Sequence, residues 1–206
     1  MPPTKEFVTK LAKRSMEEIK AIRKLVDDVK DRETLPDVFN IASDKLPIIS
    51  EALDEFKKYL ESDDFNSSTT DTYKTFKDCS TDAEKLHEVF DAVISSDGAS
   101  RSETYIDSVE KSSGGVPVEG LLKTMLEGLQ QYLQTLPEHF SREENVRGIS
   151  SRIAKALEEI TNMKPSIVEK SPNFTYTFNS KGKQYNNTGS GSQYNADTQN
   201  IGQRQA

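Results

Sequence analysis

Apolar side chains recur every three or four positions through most of this chain, which is the period of an amphipathic helix. The first two stripes lie at residues 4–31 and 35–60. Four more follow at 73–93, 105–109, 122–136 and 146–160, and no segment of this body alternates as a β-strand would. The pattern predicts an all-α fold, a bundle of about six helices whose stripes face one interior.

Capping residues, prolines and glycines indicate where the helices begin and end. Thr34 is the predicted N-cap of the second helix, and Pro47 should interrupt and kink that helix because proline removes a backbone hydrogen bond. The run SDDFNSSTTD at 62–71 predicts a loop. The remaining signals are Gly114-Gly115 after the fourth helix, Pro117 and Pro137 around the fifth, and capping-box spacing at Ser100/Glu103 and Ser141/Glu144.

The composition changes after Pro165. From residue 173 onward the chain has no proline and a net charge of +2, although the whole chain carries −7. The stretch GKQYNNTGSGSQYN at 182–195 repeats Gly-x-Gln-Tyr-Asn after nine residues. We therefore expect three segments: a helical body at 1–164, a linker at 165–172, and a prion-like tail at 173–206 that is disordered as a free monomer.

The repeat favours amyloid over a simple flexible linker. In-register stacking would place amides and tyrosine rings in ladders along a fibril, and the offset of nine lets one chain contribute two layers. Glycines would permit the turns between layers. The residues predicted to make amyloid or partner contacts are Gly182, Gln184, Tyr185, Asn186, Gly189, Gly191, Gln193, Tyr194, Asn195, Gln199, Asn200 and Gly202.

Charge and composition exclude several classes of function. A net charge of −7 without a clustered basic and aromatic surface argues against a nucleic-acid partner. The chain has no run of ~20 apolar residues that could span a membrane. With one cysteine, Cys79, and no apolar signal core at the start, the expected location is the cytoplasm.

Two features invite a chemical interpretation. Glu84-Lys-Leu-His87 is an E-x-x-H motif, but it occurs once, and a carboxylate-bridged metal bundle needs it twice; we therefore expect no metal, no cofactor and no enzymatic activity. Cys79 is expected to be a buried or partly buried structural thiol. The basic first helix either docks on the bundle or lies on an anionic membrane, and its narrow apolar stripe favours docking.

Five segments of the chain are similar in sequence to segments of known domains. Those of the body are LPDVFNIASDKLPIISEALDEFKKYLE, CSTDAEKLHEVFDAVI, VEGLLKTMLEGLQQYL and IAKALEEITNMKPSI, and that of the tail is GKQYNNTGSGSQYNADTQNIGQ. The body resembles SesA, the N-terminal domain found on fungal NACHT and other P-loop NTPases, and the tail resembles the sigma amyloid motif. Relatives tend to begin with a strongly hydrophobic helix, whereas this chain begins with the charged KEFVTKLAKRSMEEIKAIRKLVDDVKD.

The resemblance implies a part in fungal programmed cell death and non-self recognition, related to heterokaryon incompatibility. In such systems a NOD-like receptor with a matching segment templates the amyloid fold of its partner's tail. The leading hypothesis is therefore a signalling adaptor or effector, with a sigma-bearing NACHT or related NTPase as partner and self-assembly through the tail. The alternatives are a constitutive self-assembly module and an inert tailed bundle, with metal-dependent catalysis at Glu84 and His87 kept only as a check.

Overall fold

The computed structural model of the protein describes residues 4–62 and 70–167. This part of the chain contains seven α-helices, one 3₁₀ turn at Arg32–Thr34 and no strand, which confirms the all-α prediction for the body. The helices are α1 (Lys5–Asp28), α2 (Asp37–Glu61), α3 (Thr70–Ser95), α4 (Arg101–Ser112), α5 (Val118–Thr135), α6 (Glu138–Ser141) and α7 (Glu144–Asn162).

Four long helices surround the core. Helix α1 packs on α3, α3 on α5, α5 on α2, and α2 on α1, while α4 covers α3 and α7 covers α5 and α2. Helices α2 and α3 meet across the centre, where the ring centroids of Phe39 and Phe90 are 4.3 Å apart and those of Phe56 and Phe76 are 5.8 Å apart. All four rings are fully buried. The apolar stripes thus close on one interior, as their spacing predicts.

Helix α1 docks on the bundle. Its stripe buries Val8, Ile19 and Ile22, whereas Phe7 at its start is 45% exposed. The Thr4 hydroxyl accepts a hydrogen bond from the backbone N–H of Phe7 and so caps the helix. The docked interpretation of the basic first helix is therefore confirmed, and its charged face points to solvent because the apolar face is occupied.

The start of α2 differs from the prediction. Helix α2 begins after Pro36, and Thr34 lies in the 3₁₀ turn, where its hydroxyl donates to the carbonyl of Asp31. Thr34 is therefore not the N-cap, because its hydroxyl is used within the turn. The helix continues through Pro47 without a break, so the predicted interruption is also wrong.

Neither capping box forms. The Ser100 hydroxyl donates to the Asp97 carboxylate, which also accepts from the backbone N–H of Ser100. Ser100 has helical dihedral angles, φ −91° and ψ −7°, whereas the side chain of an N-cap residue reaches the first turn from an extended backbone. Ser141 lies inside the short helix α6, where its hydroxyl donates to the carbonyl of Glu138. Helix α7 accordingly begins after Glu143 without a side-chain cap.

Gly114 and Gly115 end α4 as predicted. Their φ angles are 67° and 86°, a region that side-chain-bearing residues rarely adopt. The backbone N–H of Gly115 donates to the carbonyl of Val109 at 3.0 Å and closes the last turn of the helix. The chain can therefore reverse towards α5, which begins after Pro117.

The segment boundaries at 164 and 172 stay predictions. The structure describes three residues of the predicted linker, 165–167, and Ser166 and Ile167 contact the bundle. Residues 168–206, which include the rest of that linker and the whole predicted tail, lie outside the described residues, as does most of the predicted loop at 62–71.

Candidate functional site

The residues predicted to make amyloid or partner contacts, from Gly182 to Gly202, all lie outside the described residues. Their assignment stays a prediction. The structure does place the other residues that the sequence singled out, and it adds a polar cluster at Ser166, just after α7.

Glu84 and His87 both contact α1, but at different residues. The Glu84 carboxylate pairs with Arg14 (Nε to Oε1, 2.9 Å) and accepts a hydrogen bond from the Ser80 hydroxyl. Nδ1 of His87 lies 2.6 Å from Oε2 of Glu18. Within residues 4–62 and 70–167, no group of three or more His, Cys, Asp and Glu side chains could hold a metal ion. The E-x-x-H motif here fastens α3 to α1.

Cys79 is a buried thiol, as predicted. It is 2% exposed, and its Sγ lies 3.9 Å from the carbonyl oxygen of Met125, to which it donates a weak hydrogen bond. Burial, helped by the nearby charges of Asp82 and Asp78, raises the pKa of the Cys79 thiol to about 12. Since the thiolate is the reactive form, this thiol is not a nucleophile at neutral pH.

An open cavity of about 350 Å³ lies between α3 and the second half of α5. Its lining includes Lys74, Asp78 and Glu127, side chains of both signs, together with Cys79. Because the thiol is protonated and the charged groups are mixed in sign, the cavity has neither an activated nucleophile at Cys79 nor a uniform field that would select an ion.

A cluster of polar contacts holds the segment after α7 on the bundle. After α7 ends at Asn162, the backbone N–H of Ser166 donates to Oε1 of Glu119 (2.8 Å) and its hydroxyl donates to Oε2 of the same carboxylate (2.6 Å). The hydroxyls of Ser166 and Tyr105 are 2.6 Å apart. The backbone N–H of Val118 donates to the Tyr105 oxygen at 3.3 Å.

Sequence reasoning missed this cluster. Glu119 in the first turn of α5 was a detectable signal, because acidic residues favour helix N-termini. Its partners could not be inferred, since Ser166 lies 47 residues away along the chain and meets Glu119 only through the packing of α7 on α5. Arg14 and Glu18 were missed as partners of α3 for the same reason.

No helix in the described ranges is long and apolar enough to cross a membrane. A comparison with curated proteins and one with solved structures give no match. A family model does match residues 13–132, which is more than half of the chain and runs from α1 into α5. That family is SesA, described as the N-terminal domain on NACHT NTPase and P-loop NTPases.

A domain of this kind fits a signalling role in NOD-like-receptor pathways. The match also includes most of α1, the charged first helix. The matched residues all belong to the helical bundle, and we conclude that this chain belongs to the SesA family of N-terminal domains.

Proposed function

We propose that the protein is a cytoplasmic signalling adaptor or effector in fungal programmed cell death and non-self recognition, activated when its tail is templated into amyloid. Its partner would be a NACHT or other NTPase that carries a matching tail segment. One observation carries the proposal: a SesA body at 13–132 and a nine-residue Gly-x-Gln-Tyr-Asn repeat occur in the same chain. No catalytic step by this chain is part of it.

The body and the tail have different proposed roles because their compositions differ. The body buries aromatic and aliphatic side chains from all its long helices, so we expect it to be stable without the tail. The tail at 173–206 has too few aliphatic residues to form a core alone, but a stack of tails would satisfy each backbone through its neighbours at ~4.8 Å spacing. A seed can therefore supply what the monomer lacks.

The test is seeded conversion of the full-length protein. Fibrils of a peptide with residues 173–206 serve as the seed, and thioflavin fluorescence with sedimentation measures growth. Three chains are compared: the natural one, Gln193→Pro with Tyr194→Pro, and the control Gln205→Pro with Ala206→Pro. Proline removes backbone donors, so we expect growth at least tenfold slower when the repeat is broken and normal growth when the same number of prolines follows it.

A second arm measures viability of fungal cells that express each chain with an NTPase bearing a Gln-Tyr-Asn repeat. Death with the natural and control chains, and survival with the repeat variant, supports the proposal. Equal seeded growth of all three chains would overturn templating through the repeat. Equally fast growth without seed would identify a constitutive assembly module, and templating without death would remove the effector role.

A further inference from the structure

We propose that Tyr105, Glu119 and Ser166 form a latch that holds the chain after α7 against the bundle, and that this latch must open before the tail can join a fibril. The second half of this statement rests on the proposed function; the first half does not. The name "latch" refers to these three residues below.

The latch is a directed chain of hydrogen bonds that ends on one carboxylate. The Val118 N–H donates to the Tyr105 oxygen, so the Tyr105 O–H is free to donate to Ser166 Oγ. The Ser166 hydroxyl and backbone N–H then donate to the two oxygens of Glu119. Every polar hydrogen in the series has an acceptor, and such chains polarise and strengthen one another.

The parts of the latch on the bundle are rigid. Tyr105 is 3% exposed, and its ring packs edge-on against Phe39 at a centroid distance of 5.4 Å. Burial raises the pKa of the Tyr105 hydroxyl, which keeps it protonated as a donor at neutral pH. Glu119 stands in the first turn of α5, where the positive end of the helix dipole stabilises a carboxylate.

The held segment contacts the bundle at both ends, since Met163 also packs half-buried on the core. Lys164 and Pro165 are exposed, whereas Ser166 is half-buried in the latch and Ile167 packs half-buried on the core. Met163 is extended, with φ −74° and ψ 154°, and Pro165 disfavours helix in the residue before it, so α7 cannot simply continue. The contacts at 166 and 167 are thus the last ones with the bundle that the described residues make.

The position of the last contact with the bundle decides how far the predicted tail can reach from its body in a fibril. Strands stack every ~4.8 Å, but a body two helices wide is roughly 20 Å across, so neighbouring bodies must spread away from the fibril. Six residues from Ile167 to the predicted tail at 173 reach roughly 20 Å at full extension. Release back to Met163, which packs on the core just after α7, leaves ten residues and a reach of roughly 34 Å. Opening the latch thus relieves crowding.

The experiment uses the full-length protein with Glu119→Gln and, separately, Ser166→Ala. The matched controls are Glu127→Gln, a carboxylate on the same helix that pairs only loosely with Lys123, and Ser151→Ala, an exposed serine of α7. Hydrogen exchange of the backbone N–H at position 166, which every variant retains, reports the latch directly. Because charge-assisted bonds are the strong ones, we expect at least tenfold faster exchange in both latch variants, unchanged exchange in the controls, and unchanged protection in α5.

Seeded fibril growth, measured on the same five chains, tests the gating. We expect the two latch variants to grow several-fold faster than the natural chain and the two controls to match it. Equal Ser166 exchange in the natural chain and Glu119→Gln would overturn the latch itself. Faster exchange with unchanged growth would overturn the gating alone. Absence of growth in every chain would overturn the proposed function and the gating with it, while the exchange rates still decide whether the latch exists.

Discussion

Replacing Phe56 by alanine should remove a large share of the stability of this bundle. The Phe56 side chain comes from α2 and is fully buried. Its ring centroid lies 5.8 Å from that of Phe76 on α3 and 4.7 Å from that of Tyr132 on α5, with the rings nearly perpendicular in both pairs. The centroids of Phe76 and Tyr132 are 5.3 Å apart, so three helices meet in one triangle of rings.

The expected loss combines burial and cavity formation. Truncating a buried phenylalanine to alanine costs about 3–5 kcal/mol, a value that includes the edge-to-face pairs at about 0.5–1.5 kcal/mol each. A domain of this kind has a free energy of unfolding of about 5–15 kcal/mol, so the substitution removes at least about a fifth of it. Phe56→Leu keeps most of the volume and should lose about 1.5 kcal/mol or less.

Phe7→Ala is the matched control, since it makes the same chemical change in α1 at a ring that is 45% exposed. We expect it to lose less than about 1 kcal/mol. Urea unfolding of the full-length chains, followed by circular dichroism at 222 nm, measures the difference. With a slope of about 2 kcal/mol/M, Phe56→Ala should lower the midpoint by about 2 M. Equal midpoints for Phe56→Ala and Phe7→Ala would refute the central position of the ring triangle.

Gly115 and Gly148 carry opposite predictions for the same change to alanine. Gly115→Ala should destabilise the fold by about 1 kcal/mol because its φ is 86°, whereas Gly148→Ala should stabilise it by up to about 1 kcal/mol because a Cβ inside α7 meets no atom within 4 Å. Burial raises the pKa of Asp82 to about 6, so the ionised form of this carboxyl opposes folding above that pH. Asp82→Asn should therefore raise the urea midpoint at pH 7.5 and lose this advantage at pH 4. The exposed control Asp91→Asn should change the midpoint little at either pH. Cys79 should react with a thiol reagent in urea but only very slowly in the native state, as its thiol is 2% exposed and has a pKa of about 12.

Each of these predictions has a contradicting result. A neutral Gly115→Ala would mean that the turn after α4 tolerates a side chain, and a destabilising Gly148→Ala would mean that α7 has a close neighbour at that point. A pH-independent effect of Asp82→Asn would remove the role of its ionisation. Rapid native labelling of Cys79 would show that α3 and α5 separate readily.

The sign for Asp82 follows from proton linkage. Its folded pKa of about 6 lies above the ordinary value of 3.8, so the folded state binds the proton more tightly than the unfolded one. The contribution of this carboxyl to stability therefore grows as the pH falls from about 6 towards 4 and is unfavourable above 6. Lys85 works against this shift by favouring the carboxylate, whereas Asp78 works with it.

The sequence by itself determined the helices and which face of each is buried. Periodicity at three and four residues placed Ile19, Phe56 and Leu129 in the core, and all three are fully buried, because burying one continuous stripe is the only way for such a helix to remove its apolar surface from water. Gly114 and Gly115 marked the end of α4 for an equally local reason, the freedom of glycine at positive φ.

Tertiary structure alone decided which polar groups meet. Ser100 and Ser141 looked like caps whose hydroxyls would accept from backbone N–H groups, yet each hydroxyl instead donates to a group three residues earlier, the Asp97 carboxylate or the Glu138 carbonyl. Glu84 faces Arg14, and Glu119 holds Ser166 from 47 residues away, because these partners become neighbours only when α3 packs on α1 and α7 on α5. A hydrogen bond requires a partner within about 3 Å at a suitable angle, and periodicity along the chain fixes the face of a helix but not which residue of another helix lies opposite it.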